Sequence, residues 1–195
     1  GLGDVYKRQA QVRPELAALA MPHAQLEFSV EPAPMGPRGA DSVTIMLAAN
    51  PGSDPVPLAK AASGGELSRV RLALEVVAAQ TQTPQTFVFD EIDSGVGGAV
   101  GIEIGRRLRQ LARRHQVIVV THLAQVAAFA DTHVVITKAS DGAVTSSGLR
   151  EVIGADREIE LSRMMSGMVD SESGHEHAHD PVSYTHLTLP TICSV

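Results

Sequence analysis

The sequence predicts an α/β fold in which a mostly parallel sheet is flanked by helices, with short antiparallel hairpins beside it. In the second half of the chain, short and mainly apolar runs at residues 87–90, 117–121 and 134–137 alternate with segments of helical periodicity. Strands that alternate with helices are typical of parallel sheets, and apolar strands are typical of burial on both faces. Earlier, residues 26–30 and 43–48 flank a Pro/Gly-rich segment that is expected to be a loop, which indicates an antiparallel pair.

The helices are predicted from spacing and from proline. Residues 10–21 place alanine and leucine at helical intervals and stop before Pro22, which cannot continue a helix. A second helix is predicted at residues 66–80, and its expected buried face consists of Leu67, Val70, Leu74 and Val77. Further helices are expected at residues 99–114, 123–129 and 156–165, and Asp141-Gly142 is expected to turn a hairpin.

Composition and charge exclude several classes of protein. The chain has 195 residues, one cysteine and a formal net charge of −6. This acidic balance excludes a surface that binds nucleic acid over its whole extent, so a contact with DNA must be local. A single cysteine excludes a disulfide framework. No apolar run approaches the roughly 20 residues that cross a bilayer, so we expect no membrane contact. The single cysteine is compatible with a reducing cytoplasm, which is the expected location.

The run Ser63-Gly64-Gly65-Glu66 opens the second predicted helix. Two glycines allow a backbone to approach a ligand closely, and the N–H groups at a helix start favour an anion. The Ser63 hydroxyl group adds a further donor to phosphate. The same residues would also suit a serine cap before an ordinary helix, so both interpretations stay open.

Two carboxylates, Asp90 and Glu91, stand at the end of the strand that begins at Phe87. The carboxyl end of a parallel strand is where α/β sheets bind ligands. We expect Asp90 to hold Mg²⁺, directly or through its water shell, because this ion prefers oxygen ligands and keeps waters. Glu91 is expected to polarise an attacking water. A solvated acidic turn is the alternative interpretation.

His122 comes directly after the next predicted strand in the same way. One helical crossover separates it from Asp90, so the two strand ends can be neighbours, and His122 could contact a γ-phosphate. A lone histidine at a strand end is usually a turn residue, so this expectation depends on the other two motifs. The sequence has no Gly-rich loop with a lysine, so these motifs supply about half of an ATP site.

The order of these motifs resembles that of the ATP-binding-cassette ATPases. Residues 63–69 match the signature loop of that family, residues 87–91 the Walker B strand, residues 93–95 the D-loop and His122 the switch histidine. The resemblance implies that Glu91 and His122 are catalytic and that Asp90 holds Mg²⁺, on ATP bound by the same protomer. It implies cofactor contacts from Ser63, Gly64, Gly65, Glu66, Lys60 and Asp93. The signature-loop residues would act across a homodimer, with ATP sandwiched between two heads.

Longer matches narrow the resemblance to the SMC-like ATPases of bacterial DNA repair. These matches include residues 58–69, 89–98 and 121–127, with flanking segments that extend it over roughly residues 10–170. The resemblance implies the C-terminal lobe of a P-loop NTPase head, in an ATPase that acts in DNA double-strand-break repair and recombination. It further implies binding of DNA through the full-length protein and a location at the nucleoid.

The sequence also predicts how the chain is organised into segments. Residues 1–9 are expected to be a non-native end, since they match neither the composition nor the periodicity of the middle of the chain. Residues 10–21 would end a coiled-coil helix, residues 22–170 would form the head lobe, and residues 171–195 would be a disordered or non-native tail. Without a Walker A loop, this chain alone is expected to have no ATPase activity.

Two other functions stay open: the nucleotide-binding domain of a transporter from the same superfamily, and a non-catalytic dimerisation or scaffold module. Arg106, Arg109 and Arg113 share one predicted helix face and could contact DNA phosphates, although a solvated outer face is the more usual explanation. Alternating histidines in the tail could bind a transition metal, although a divergent tail is the commoner explanation; they are His175, His177 and His179.

Overall fold

The computed structural model describes residues 2–37, 39–61, 63–79, 83–141, 144–166 and 187–193. The chain divides into two compact units, residues 1–82 and residues 83–195. The domain bounds expected from the sequence remain a prediction.

The first unit combines helices with a small antiparallel sheet. Helix α1 (Leu2–Ala18) packs against the later helix α3 (Gly64–Ala78), and the short helix α2 (Leu58–Ala61) precedes α3. The sheet has the order β1-β2-β3 and consists of β1 (Gln25–Gly36), β2 (Gly39–Ala48) and β3 (Val56–Pro57). The largest fully buried side chains of this unit are leucines, namely Leu16, Leu19, Leu47 and Leu72.

The predicted antiparallel pairing of β1 and β2 is confirmed, with Leu26 opposite Leu47. Strand β1 is longer than predicted, because it continues through Pro32 and Pro34 to Gly36, where the sequence predicts a loop. The register shifts between Pro32 and Gly36. Strand β1 lies at the edge of the sheet, where a residue without an N–H group can be tolerated.

The buried face of α3 differs from the predicted one. Leu67, Leu74 and Val77 are only half-buried. The residues that α3 buries are Gly65, Arg69, Val70, Leu72, Ala73 and Val76. Apolar residues occur all around this helix, so their periodicity does not select a single face.

The second unit contains a mixed five-stranded sheet of order β4-β5-β8-β6-β7. Its strands are β4 (Thr86–Phe89), β5 (Gln116–Val119), β6 (Thr132–Asp141), β7 (Val144–Glu151) and β8 (Leu187–Cys193). Its helices are α4 (Gly98–Ala112), α5 (Ala124–Ala127) and α6 (Ala155–Ser166). Among the described residues, the core includes Phe89, Ile104, Leu108, Leu111 and Val119.

Parallel pairing is confined, among the described strands, to β4 and β5, where Phe87 lies opposite Val117. Strands β6 and β7 form the predicted antiparallel hairpin, whose turn at residues 142 and 143 lies outside the described residues. Strand β8 pairs antiparallel with both β5 and β6. The sheet is therefore mixed rather than mostly parallel, because a strand from the end of the chain separates β5 from β6.

Strand β4 is buried on one face only. Phe87 and Phe89 are buried, whereas Val88 between them is 52% exposed. The sequence predicts burial on both faces, but the described residues cover only the side to which the two phenylalanines point.

Strand β8 falls inside the segment predicted to be a disordered or non-native tail. Its backbone pairs with the sheet, with Pro190 opposite His133, and the expectation of a disordered or non-native tail for residues 171–195 remains a prediction. Residues 167–186, with the alternating histidines, lie outside the described residues.

Within the described part of the chain, no helix is both long enough and apolar enough to span a membrane.

Candidate nucleotide-binding site

The Ser-Gly-Gly-Glu run forms the start of α3, as predicted. Ser63 is the N-cap residue, and its hydroxyl oxygen accepts the N–H of Glu66 at 3.3 Å. The Glu66 carboxylate in turn accepts the N–H of Ser63 at 3.1 Å, which completes a capping box. Ser63 and Gly64 are exposed, whereas Gly65 is buried. The local structure therefore satisfies the helix-cap interpretation and also leaves the outer residues of the run accessible.

These contacts decide which groups of the run remain available to an anion. The Ser63 hydroxyl accepts one bond and retains its own hydrogen as a donor. The Ser63 N–H, in contrast, already meets a carboxylate. Lys60 lies exposed on α2, three positions before Ser63. A phosphate at this helix start would thus meet a hydroxyl group as well as the negative charge of Glu66.

Asp90 and Glu91 come directly after the end of β4 and are both exposed. The Asp90 carboxylate accepts the N–H of Glu91 at 2.9 Å. The backbone of Glu91 is left-handed, with φ of 55°, and its carbonyl oxygen accepts the N–H of Ser94 at 3.0 Å. For a residue other than glycine this conformation costs about 1–2 kcal/mol. Such strain is found where the surrounding structure enforces it, often at functional sites.

The groups at this strand end fit Mg²⁺. This ion is usually bound through one or two carboxylates, waters and substrate phosphates rather than by an all-protein cage. Asp90 presents an exposed carboxylate, and no cluster of three or more His, Cys, Asp or Glu side chains occurs among the described residues. Asp90 therefore suits a cation that it shares with the phosphates of a nucleotide.

The end of β5 lies beside the end of β4. The N–H of Val120 donates to the carbonyl oxygen of Phe89 at 2.9 Å, which extends the parallel pairing beyond the last residue of β5. The chain therefore leaves both strands at the same edge of the sheet. This placement confirms the expectation that the two strand ends are neighbours.

A buried carboxylate connects the loops that leave these two strands. Oδ2 of Asp93 accepts hydrogen bonds from the Thr121 hydroxyl group, from the N–H of His122 at 2.9 Å and from the N–H of Leu123 at 3.2 Å. The same oxygen lies 3.1 Å from Nδ1 of His122. The side chain of Asp93 is 2% exposed and that of His122 is 63% exposed. One end of the histidine is therefore fixed while its ring remains accessible.

The structure thus brings Asp93 to His122 and Asp90 to Glu91, all in the second unit. Asp93 is predicted to touch the cofactor, yet its carboxylate is directed into the protein, so a nucleotide contact by this residue remains a prediction. Sequence reasoning missed the Thr121 hydroxyl group, although a threonine after an apolar strand is a usable signal. It also missed the left-handed backbone of Glu91, because a glycine, the usual sign of that conformation, is absent at this position.

Helix α4 carries the predicted arginine face. Arg106 and Arg107 both pair with Glu103, at 2.9 Å and 2.7 Å, and the hydrogen bond from Arg107 is the main reason why the pKa of Glu103 lies below its usual value. Arg109 and Arg113 are exposed, and neither forms an ion pair with another described residue. Contact between this face and DNA remains a prediction.

Solved structures define the class of fold. The chain is similar to the Smc head domain with a coiled coil and joint from Pyrococcus yayanosii, with a TM-score of 0.55 and 21% identity over 81% of this chain and 29% of that chain. It is also similar to an SmcHead bound to the C-winged helix domain of ScpA, with a TM-score of 0.51 and 18% identity over 82% of this chain and 46% of the other. The chain therefore has the fold of an SMC-type head, which confirms the predicted class.

Sequence relatives define the family. The chain is 50% identical to the DNA repair protein RecN of Streptomyces coelicolor, in an alignment that covers 88% of this chain and 32% of the relative. It is 48% identical to RecN of Mycobacterium leprae over 87% of this chain and 32% of the relative, and 44% identical to RecN of Xylella fastidiosa strain 9a5c over 73% and 26%. No protein-family model matches the chain. The chain is thus a RecN-type sequence that spans about a third of the length of these curated relatives.

Proposed function

We propose that this chain supplies the Walker B, switch and signature parts of an ATP site in a RecN-like ATPase of DNA double-strand-break repair and recombination. The observation that carries the proposal is the shared edge of β4 and β5, where exposed carboxylates and an exposed, anchored histidine stand at the ends of adjacent strands. Similarity to proteins named for DNA repair supports the biological setting, in the cytoplasm at the nucleoid.

Hydrolysis at such a site depends on position and electrostatics rather than on covalent chemistry. The Glu91 carboxylate would accept a hydrogen bond from the attacking water and orient it. The His122 ring would contact the γ-phosphate. Asp90 would hold Mg²⁺ together with the phosphates of ATP, and this ion supplies neutralisation of the charge that develops on them.

The signature residues would serve the opposite site of a homodimer. Ser63, Gly64 and Gly65 begin a helix, and the first two are exposed, so they are suited to the γ-phosphate of ATP held by a second head. Exposed Lys60 would add positive charge at that contact. ATP would thus be sandwiched between two heads, and DNA would be bound through the whole protein.

A chimera tests the catalytic assignment. The segment of the S. coelicolor relative that matches this chain is replaced by the segment of this chain, and ATP turnover is measured with and without Glu91→Gln. We expect the substitution to lower turnover by about 100-fold or more, as for loss of a general base, and to leave ATP binding intact. An ATP-dependent dimer should then accumulate, and light scattering coupled to size exclusion would detect it.

Glu158→Gln is the matched control, because it removes one exposed carboxylate from α6, a helix that contributes none of the proposed site residues. It should leave turnover within about twofold of the unsubstituted chimera. Equal turnover with and without Glu91→Gln would refute the role of Glu91. An inactive chimera beside an active parent would refute the claim that this chain supplies a competent half-site.

The purified 195-residue chain provides a second test. Since its sequence contains no Gly-rich loop with a lysine, we expect no ATP turnover above that of its Glu91→Gln variant. Turnover that Glu91→Gln abolishes in this chain would contradict the half-site account.

A further inference from the structure

Helix α4 has one buried side and one basic side. The buried residues recur at helical spacing, and they are Gly101, Ile104, Gly105, Leu108, Leu111 and Ala112. The helix packs against α5 and β5, so its orientation within the second unit is fixed. On the opposite side, Arg106, Arg109 and Arg113 are all exposed, at intervals of three and four positions. These three residues therefore form a single arginine face on a fixed helix.

The charge around the arginine face has a single sign. Residues 106–114 contain five arginines, and the next acidic residue after Glu103 is Asp131. Glu103 itself already pairs with two of the arginines, Arg106 and Arg107. A chain whose formal net charge is −6 thus concentrates positive charge at one place.

Two residues of the arginine face have no acidic partner in the described part of the chain. Arg109 and Arg113 are exposed, and neither forms an ion pair with another described residue. Like charges three or four positions apart destabilise a helix, so the arginine face is unfavourable for α4 by itself. The helix dipole favours cations near the last turn and is a competing account of these two residues. A polyanion lying along the face would relieve the repulsion.

We infer that the arginine face contacts the phosphate backbone of double-stranded DNA. The rise from Arg106 to Arg113 is about 10 Å along the helix axis. Each DNA strand presents a phosphate about every 3.4 Å along its axis, so the face spans about three phosphates. Guanidinium groups suit this partner, because they can donate two parallel hydrogen bonds to one phosphate. The inference rests on the proposed function at DNA and deepens it by naming a contact site.

The side chains of α4 favour duplex DNA over single-stranded DNA. Proteins that bind single strands stack the bases on aromatic side chains, and α4 has none. Contacts with phosphates position a protein on the duplex but carry no sequence information. We therefore expect binding that depends strongly on salt and is independent of sequence. An acidic protein segment is the alternative partner, and the test below includes it.

Binding is measured on the purified 195-residue chain by fluorescence anisotropy of a labelled DNA duplex, in a series of increasing salt concentrations. Each phosphate contact contributes about −0.9 to the slope of log K against log salt, so three contacts predict a slope of about −3. Arg113→Glu should weaken binding by about tenfold at low salt and reduce the steepness of the slope by about 1. Arg109→Glu should have the same effect. Absence of binding by the unsubstituted chain at low salt would overturn the inference.

Arg13→Glu is the matched control, because Arg13 is an exposed arginine of α1 in the first unit and the change in net charge is the same. Equal weakening by Arg13→Glu and Arg113→Glu would overturn the inference, since binding would then depend on net charge alone. Urea denaturation gives the stability of each variant. A loss of stability in Arg113→Glu with unchanged DNA binding would leave the helix dipole as the reason for Arg113. If Arg113→Glu fails to fold, Arg113→Gln replaces it, with the same expected change in slope.

Competition against the labelled duplex identifies the partner. Unlabelled duplex, single-stranded DNA and poly-glutamate are added at equal concentrations of negative charge. We expect the duplex to compete most strongly. Equal or stronger competition by poly-glutamate would overturn the assignment to DNA, and equal or stronger competition by single-stranded DNA would overturn the assignment to a duplex.

The RecN chimera separates this inference from the proposed function. Arg113→Glu should weaken DNA binding by the chimera and leave its ATP turnover without DNA unchanged, because Arg113 is not one of the proposed ATP-site residues. If the chimera hydrolyses no ATP while Arg113→Glu still weakens DNA binding, the arginine face stands and the proposed function fails. If turnover depends on Glu91 while Arg113→Glu leaves DNA binding unchanged, the arginine face is refuted and the proposed function stands.

Discussion

Gly105 in α4 sets how closely the segment after α5 can approach, and Gly105→Ala tests this directly. A Cβ atom at Gly105 would lie 2.3 Å from Cδ2 of Phe129, 2.8 Å from Cε2 and 2.9 Å from Cγ. Phe129 comes after α5, and α5 comes after His122, so the ring of Phe129 holds the segment that begins at His122 against α4. An added methyl group must therefore displace this ring.

Two opposing terms determine the effect of Gly105→Ala on the free energy of unfolding. Alanine is favoured over glycine in a helix interior by about 1 kcal/mol. Ordinary contact needs at least 3.4 Å, so the ring must retreat by about 1 Å. Overpacking of this kind costs about 1–3 kcal/mol. We expect the second term to exceed the first, so that Gly105→Ala destabilises the second unit by about 1 kcal/mol.

The assay is urea denaturation followed by circular dichroism, with hydrogen exchange to localise the effect to α4 and α5. Phe129→Ala removes the ring, so in that background Gly105→Ala should stabilise by about 1 kcal/mol, as helix propensity alone predicts. The reasoning thus predicts a reversal of sign between the two backgrounds. Stabilisation by Gly105→Ala in the presence of Phe129 would refute the close approach.

Two further substitutions test features outside the strand ends. Ser63→Ala removes the hydroxyl group that accepts from Glu66, so α3 should lose about 1 kcal/mol of stability, measured by hydrogen exchange of its amides, while Ser63→Thr should lose much less. Burial lowers the pKa of His133 below the usual 6.5, and the charge of Arg157 is the next cause. The unfolded chain therefore binds a proton at this histidine more readily than the folded chain. Stability that is present above pH 6.5 is consequently lost as the pH falls below it. His133→Leu should abolish this acid-dependent loss of stability, measured as the melting temperature against pH. At neutral pH the substitution should be neutral or stabilising, because neither ring nitrogen has a hydrogen-bond partner among the described residues. If the melting temperature of His133→Leu falls in acid as before, His133 is not the source of the loss.

Local patterns predicted much of the fold because local chemistry determines those parts. The start of α3 is predictable from Ser-Gly-Gly-Glu, whose spacing also matches a capping box. The order of β4, α4 and β5 is predictable from apolar runs separated by a helical segment, and that order favours a parallel pair at one sheet edge. The candidate site is predictable in so far as its carboxylates and its histidine follow the ends of β4 and β5, which meet at one edge of the sheet.

The remainder depends on contacts between distant residues. No local signal indicates that β8 enters between β5 and β6, because a strand pairs with whichever edge is available. The buried side of α3 is decided by what packs against it, not by its own apolar residues. The partners of Asp93 likewise lie in another loop, so the sequence identified the residue but predicted a nucleotide contact for a carboxylate that the structure buries.

In both parts of the candidate site a carboxylate accepts backbone N–H groups, but the consequence for a ligand differs. At the start of α3 the Glu66 carboxylate occupies the N–H of Ser63, a donor that an incoming phosphate would use. A phosphate that takes this N–H must displace a carboxylate, and the two negative charges repel each other. At the end of β5 the Asp93 carboxylate occupies the N–H groups of His122 and Leu123, but most of the His122 side chain remains exposed. A ligand that meets the ring therefore displaces nothing. If ATP binds as proposed, we expect adjustment at residues 63–66, where one anion must replace another, rather than at His122.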